Sequence, residues 1–433
     1  MKYDIAIIGG GASGLAAAVS SVRAGARVCV LERQPRVGKK LLATGNGRCN
    51  LYNTGARAEV YFGDRAFAEP ALRAFAPESA RAFFASVGLE IREERNGLLY
   101  PASNQAAAVL DCLRLSISEA GAEEICSFDA VSIEPLSGNR KGGNGLNPQS
   151  LKTEVGFLVR AGDGRTVEAR RVIVAVGGMA APKLGGGNGF KTLFAPLGHR
   201  FAPCYPALSM LKARPEDVAG LKGLKYAGEI ALLSGERELK RETGEILFAE
   251  DGISGIAAMQ LSLYAAEPLS RGERLSVRMS PLSMTSKDAE AFLNARAQAF
   301  PQRALEEFCT GVVVKRIGQA ALKRAGASPL SRPASSLSSE EIRRLARELT
   351  SWQVPVTGIG GFDSAQAMLG GLRAADFDPE TLESRLLRGV YACGEALDVT
   401  GPCGGYNLAW AWASGILAGR SAANAVIFPQ NHR

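Results

Sequence analysis

Gly9, Gly11 and Gly14 follow directly on the apolar run Asp4-Ile5-Ala6-Ile7-Ile8, and an alanine-rich helical stretch to Ala24 comes after them. The order reads strand, turn, helix, with a second apolar strand at Arg27-Val28-Cys29-Val30-Leu31 ending at Glu32. The chemistry of that spacing is anion binding. Gly9 makes the tight turn, Gly11 lets backbone approach a pyrophosphate, and Gly14 lets helix and strand pack closely. Ala12 and Ser13 fill the helix start, whose exposed amides and positive dipole end receive the anion. Glu32 is placed to accept hydrogen bonds from the ribose hydroxyls, and a carboxylate there disfavours a 2′-phosphate. This fingerprint predicts a bound dinucleotide without separating FAD from NAD.

Beyond Glu32, the segment from Arg33 to Asn53 is rich in glycine and short polar residues, as suits a loop wrapped around a cofactor. Lys39, Lys40 and Arg48 are the cations it offers to phosphates, with Thr44-Gly45-Asn46-Gly47 between them. A third strand, Arg171 to Val176, runs through Ala175 to Gly177-Gly178. Its terminal glycines suit a close crossing of backbone and dinucleotide. Gly389 to Glu395 has the same form, and Gly404-Gly405-Tyr406-Asn407 opens an apolar helix over Leu408 to Ala418.

Taken in order, Gly38 to Asn53, Tyr100-Pro101, Val174 to Gly178, Cys204 to Leu208, Gly252 to Gly255, Gly394 to Asp398 and Gly404 to Leu408 resemble the signature of the bacterial HI0933/YhiN-like FAD-binding proteins. That family is a branch of the glutathione-reductase-type flavoproteins that includes the BaiN-type enzymes, and the similarity runs the full length. The resemblance implies FAD as cofactor. It adds Arg33 and Val131 to the binding set, and puts Gly394 and Glu395 beside the ribityl-phosphate part. The helix opened by Gly404, Gly405, Tyr406 and Asn407 would face the flavin C2 carbonyl and N1, where negative charge accumulates on reduction. It further implies an α/β fold. A Rossmann-like FAD-binding domain is assembled from residues 1–195 and 352–433, and a β-barrel-like plus helical substrate or cap domain is inserted at 196–351. Reduction of a conjugated C=C bond in a small apolar substrate is the implied activity, with NADH or NADPH as transient reductant. An amine oxidase, an RNA-modifying flavoprotein and a non-catalytic flavin-binding protein are the alternatives. One departure bears on substrate: where relatives carry Thr-Ala before a Gly-Gly pair, this chain reads Gln366-Ala367-Met368-Leu369-Gly370-Gly371.

Composition narrows the classes. At 433 residues, with 46% hydrophobic and 22% charged residues, the chain is long enough for two packed units and is of ordinary globular composition. The net charge of +8 is spread without a basic run, so nucleic acid is not the expected partner; a small molecule is. Eight cysteines without a C-x-x-C pair, and only two histidines, predict reduced thiols in the cytoplasm and no metal site. Ile5 to Val22 and Val399 to Gly419 imitate membrane segments, but glycines and Pro402 interrupt them. The sequence leaves the oligomeric state open. The Gly/Asn-rich stretch Ser137 to Ser150 reads as a hairpin loop or linker. No catalytic acid is assigned: Tyr205, Tyr406 and Cys403 lie at the motifs, with packing the favoured role. His199, in Gly198-His199-Arg200, reads as a surface or turn residue rather than a general base, and Ser254 as a helix cap in preference to a ligand for a substrate carboxylate.

Overall fold

The computed structural model describes residues 2–136 and 156–428; the loop expected over Ser137 to Ser150 lies outside the described residues. The chain divides into two compact units, Met1–Tyr205 with Ala367–Arg433, and Pro206–Gln366.

In the first unit, β1 (Tyr3–Ile8) leads through the glycine turn into α1 (Ala12–Arg23), β2 (Val28–Glu32) and the short α2 (Lys39–Ala43). β3 (Glu123–Cys126), β4 (Ala130–Leu136), β5 (Gly156–Ala161) and β6 (Thr166–Val174) follow. After the second unit the chain returns with β7 (Ala367–Leu372), β8 (Val390–Ala392) and α3 (Tyr406–Ile427). The main sheet has the order β3-β2-β1-β6-β5-β4, with β8 also on β6. β6 serves two partners on that side. Thr166 to Ala169 pair antiparallel with β5, whereas Val172 to Val174 pair parallel with β8. A strand from residue 390 onward thereby completes a sheet begun at residue 3. β1 and β2 are buried almost throughout, which is why they read as unbroken apolar runs rather than alternating ones.

α1 packs on α3 through small residues. Ser20 Oγ donates to Ile416 O at 3.0 Å and Ser21 Oγ to Gly419 O at 3.1 Å, so the hydroxyls buried between the helices are satisfied.

The second unit is an antiparallel sheet of seven strands with helices. The expected strand near Tyr226 to Leu233 spans Lys225–Ser234 and pairs with Arg237–Phe248 and Leu275–Ser280. The helical stretch expected after Ser286 contains Ser286–Ala299, Lys315–Arg324 and Ser339–Thr350. Ser338 and Glu341 close a capping box on the last of these. Its core gathers Ile230, Leu232, Phe248, Leu261, Val277 and Trp352.

Candidate functional site

All the residues singled out for cofactor binding fall in the first unit. At its centre the three glycines of the turn have three different reasons to be glycine. Gly9 has φ +108°, and a Cβ on it would lie 2.5 Å from Ala175 O. A Cβ on Gly14 would lie 1.9 Å from Gly9 O, so α1 presses directly on the turn. Gly11 is the opposite: φ is −84° and nothing lies within 4 Å of the added atom. The open side of Gly11 adjoins the first turn of α1, which has no side-chain cap and no acidic residue. Free amides beside a gap fit a diphosphate. Glu32 braces this turn, Oε2 accepting from Gly10 N and Oε1 from Gln34 N, each at 2.8 Å. A carboxylate has about four acceptor positions, so it can also receive ribose hydroxyls. Arg33 grips the carbonyls of Gly185 and Gly186.

The expected phosphate cations all have protein partners. Lys39 donates to Gln34 Oε1 at 3.3 Å, and Lys40 pairs with Glu395 at 2.7 Å. Arg48 lies over the Tyr100 ring, 4.2 Å from its centroid, and bonds Asn104 Oδ1 at 3.0 Å and Glu94 Oε1 at 2.5 Å. Its loop needs such anchors. Asn46 and Cys49 both adopt φ near +56°, an unfavourable conformation for non-glycine residues that persists only when surroundings enforce it. Thr44 Oγ adds a bond to Leu41 O at 2.6 Å.

The C-terminal motifs close on the same turn. Ala175 N donates to Ile8 O at 2.8 Å, continuing β6 beside β1 toward Gly177 and Gly178. Gly178 N faces Glu395 Oε2 at 3.3 Å, and Met368 N donates to Glu395 Oε1 at 2.9 Å. Gly394 is held by α3 from both sides of its peptide, its N on Ser414 Oγ at 2.9 Å and its O on Trp410 Nε1 at 3.0 Å.

At the start of α3, three asparagines fix the approach. Asn407 bonds Gly401 N and O, both at 2.8 Å, and Asn53 Nδ2 donates to Gly404 O at 2.9 Å. The Asn50 amide, oriented as its neighbours require, accepts from Gly405 N at 3.1 Å and donates to Tyr52 O at 3.2 Å. Gly405 has φ +93° and would place a Cβ 2.7 Å from Tyr52 O. Tyr406 packs edge-on against Tyr61, whose hydroxyl donates to Tyr406 O at 2.8 Å. Asn50 and Asn53 lie within the family-like segment Gly38 to Asn53 but were not singled out as site residues from the sequence. Val131 stands apart from these contacts, 36% exposed on β4. That strand's entry is tied to β2 by Phe128 N on Glu32 O at 2.9 Å.

Residues 3–421 match the family described as the HI0933-like protein Rossmann domain. The chain belongs to that family. It is thereby a flavoprotein oxidoreductase. A 3-dehydro-bile acid delta(4,6)-reductase of Clostridium scindens is 38% identical over 97% of this chain and 98% of its own. A ribosomal RNA dihydrouridine synthase of Escherichia coli is 28% identical over 95% and 96%. Among solved structures, the open conformation of a flavocytochrome c3 fumarate reductase shares the fold, with a TM-score of 0.50 and 14% identity over 98% of this chain and 78% of that one.

In this HI0933-like protein the thiols beside the motifs are poor nucleophiles. Cys49 and Cys393 are 0% exposed, and burial pushes each thiol up to about 12. Among the described residues, no group of His, Cys, Asp and Glu could hold a metal ion, and no helix is long and apolar enough to cross a membrane.

Two sequence readings need correction. Ser254 does not cap a helix: it ends the strand Gly252–Ser254, and Gly255, φ +88°, precedes Ile256–Ser270 without any side-chain cap. His199 is not on the surface. It is 4% exposed, stacked on Phe377 and edge-on to Phe194, with Nε2 2.7 Å from Ser384 Oγ. Ser384 Oγ already accepts from Leu386 N and Leu387 N, which favours its own proton being donated to Nε2 of an uncharged His199 ring. Burial lowers its pKa against the smaller opposing pull of Asp376, which is itself paired with Arg200. The unfolded chain therefore takes up a proton near pH 6.5 that the folded one resists, and stability falls as pH drops below that value. The slope is at most about 1.4 kcal/mol per pH unit for one group. Melting temperatures measured from pH 7.5 to 5 are expected to fall more steeply in the wild type than in His199→Gln; equal slopes would remove His199 as the cause.

Proposed function

We propose that this chain uses FAD to reduce a carbon–carbon double bond conjugated to a carbonyl in a small apolar molecule, with NADH or NADPH as electron donor. The supporting observation is a chemistry shared by two near-full-length relatives. A delta(4,6)-reductase of a 3-dehydro bile acid and a synthase of dihydrouridine, as named, each add two hydrogens across a double bond in conjugation with a ring carbonyl. The higher identity of the first favours a small apolar substrate over RNA.

FAD, when bound, supplies two-electron transfer at flavin N5. The chain's own groups hold it. The gap at Gly11 and the amides of Ala12, Ser13 and Gly14 receive the diphosphate, and Glu32 orients the ribose. Asn50, Asn53 and Asn407 fix the start of α3 so that its amides and positive end stabilise negative charge on the reduced ring. A nicotinamide cofactor would be a transient visitor, because the sequence carries one dinucleotide fingerprint. The reducing cytoplasm is the proposed compartment, in keeping with eight free cysteines. We further propose that the inserted segment supplies substrate selectivity.

The test is anaerobic reduction of the purified flavoprotein by NADH and NADPH separately, followed in the visible spectrum. Bleaching followed by reoxidation with a 3-oxo-4,6-diene steroid is the expected result. Reoxidation by uridine-containing RNA alone would transfer the assignment to RNA modification, the reading that the E. coli relative favours. Its binding would weaken steeply with salt. Bleaching only by an amine would mark an oxidase, and a protein that neither bleaches nor reoxidises would be a flavin carrier.

A further inference from the structure

Lys40 and Glu395 are 355 positions apart in the chain, and their side chains meet at 2.7 Å, partly shielded from solvent. Both stand beside the glycine turn. Gly38, two residues before Lys40, donates its N to Gly10 O at 2.8 Å. Gly394, next to Glu395, lies so close to the first turn of α1 that a Cβ on it would be 2.5 Å from Ser13 Oγ. Glu395 thus stands one residue from the contact with the helix turn whose amides would receive a diphosphate. It is kept there by backbone donors, Met368 N at 2.9 Å and Gly178 N at 3.3 Å. A fixed negative charge next to an anion site opposes binding unless something offsets it.

We propose that Lys40 serves the cofactor through Glu395. Its ammonium neutralises the carboxylate that would repel the diphosphate, leaving Glu395 free to pin Gly178 and Met368. Lys40 is then a positioning residue, and its importance depends on the negative charge of residue 395. This inference rests on the FAD reading above.

The test is a double-mutant cycle on full-length protein stripped of flavin and titrated with FAD, with affinity read from fluorescence quenching. Lys40→Met keeps the aliphatic stem and removes the charge, and is expected to weaken binding by about 30-fold. Glu395→Gln removes the charge but keeps an acceptor for only one of the two amides, which bond separate oxygens, and is expected to weaken binding by about fivefold on its own. The double variant is expected to return to the level of Glu395→Gln, a rescue that a merely structural role for Lys40 would not give. Should Lys40→Met fold poorly by circular dichroism, Lys40→Gln repeats the cycle. A double variant as weak as Lys40→Met would overturn the proposal and make Lys40 a direct phosphate ligand. So would a Lys40→Met affinity equal to the wild type. Wild-type protein that takes up no FAD would overturn the functional reading itself, whereas normal uptake with an unrescued double variant overturns this inference alone.

Discussion

Gly11→Ala protein is expected to melt close to the wild-type temperature yet purify without flavin colour, while Gly14→Ala loses both the stability and the colour. The contrast follows from what each methyl would meet. At Gly11 the backbone is in a region open to alanine, and nothing lies within 4 Å of the added carbon. Losing glycine at an N-cap costs up to about 1 kcal/mol, and lower entropy of the unfolded chain returns part of it. The same methyl stands in the gap beside the amides of α1, where the diphosphate is proposed to pass. At Gly14 the methyl would sit 1.9 Å from Gly9 O, a backbone atom that cannot swing aside. Relieving that overlap must lift α1 from the turn, at a cost of roughly 3 kcal/mol or more. Absorbance at 450 nm per protein, with thermal melts of both variants, decides the matter. A yellow Gly11→Ala protein of wild-type FAD affinity would move the diphosphate away from the turn.

The turn was legible because its logic is local. Within 33 residues the sequence shows an apolar strand, three glycines at fixed spacing, a helix and a terminal acid, and each constrains its neighbours. The C-terminal half of the site has no such self-contained signal. Nothing in the residues around Glu395 says that Lys40 is its partner, and the motifs there were read through family resemblance. Charge was legible and pairing was not: Arg48 was expected to seek a phosphate, but Glu94, Asn104 and the ring of Tyr100, some 50 positions on, claim its guanidinium. His199 failed for a related reason. Between Gly198 and Arg200 it has the local look of a turn, and only the distant Phe377 and Ser384 make its surroundings a cage. Ser254 shows the converse limit, since serine before a helix suggests a cap. The close approach of Gly255 to the neighbouring strand, where a Cβ would lie 2.3 Å from Glu245 O, places glycine in the cap position instead.

Gly415→Ala is expected to lower both melting temperature and flavin retention, although alanine is the better helix former by about 1 kcal/mol. α3 crosses α1 where Gly415 and Gly419 face it. A Cβ on Gly415 would lie 2.2 Å from Ser13 O, and one on Gly419 would lie 2.4 Å from Ala17 O. Both would force the helices apart, and the bonds from Ser20 and Ser21 to Ile416 O and Gly419 O would lengthen. Their functional consequences should differ, because the two glycines press on different turns of α1. Ser13 belongs to the turn proposed to receive the diphosphate, and α3 also fixes Gly394 through Ser414 and Trp410. Moving α3 at Gly415 therefore disturbs the turn and the residue before Glu395 together, and FAD affinity should fall at least about tenfold. Ala17 lies a turn further along, so Gly419→Ala should lose comparable stability with FAD affinity within about threefold of the wild type. Paired melts and FAD titrations of the two variants check this. Equal losses of affinity would mean that α3 acts on the cofactor only through overall stability, and the positional argument from Ser13 would fall.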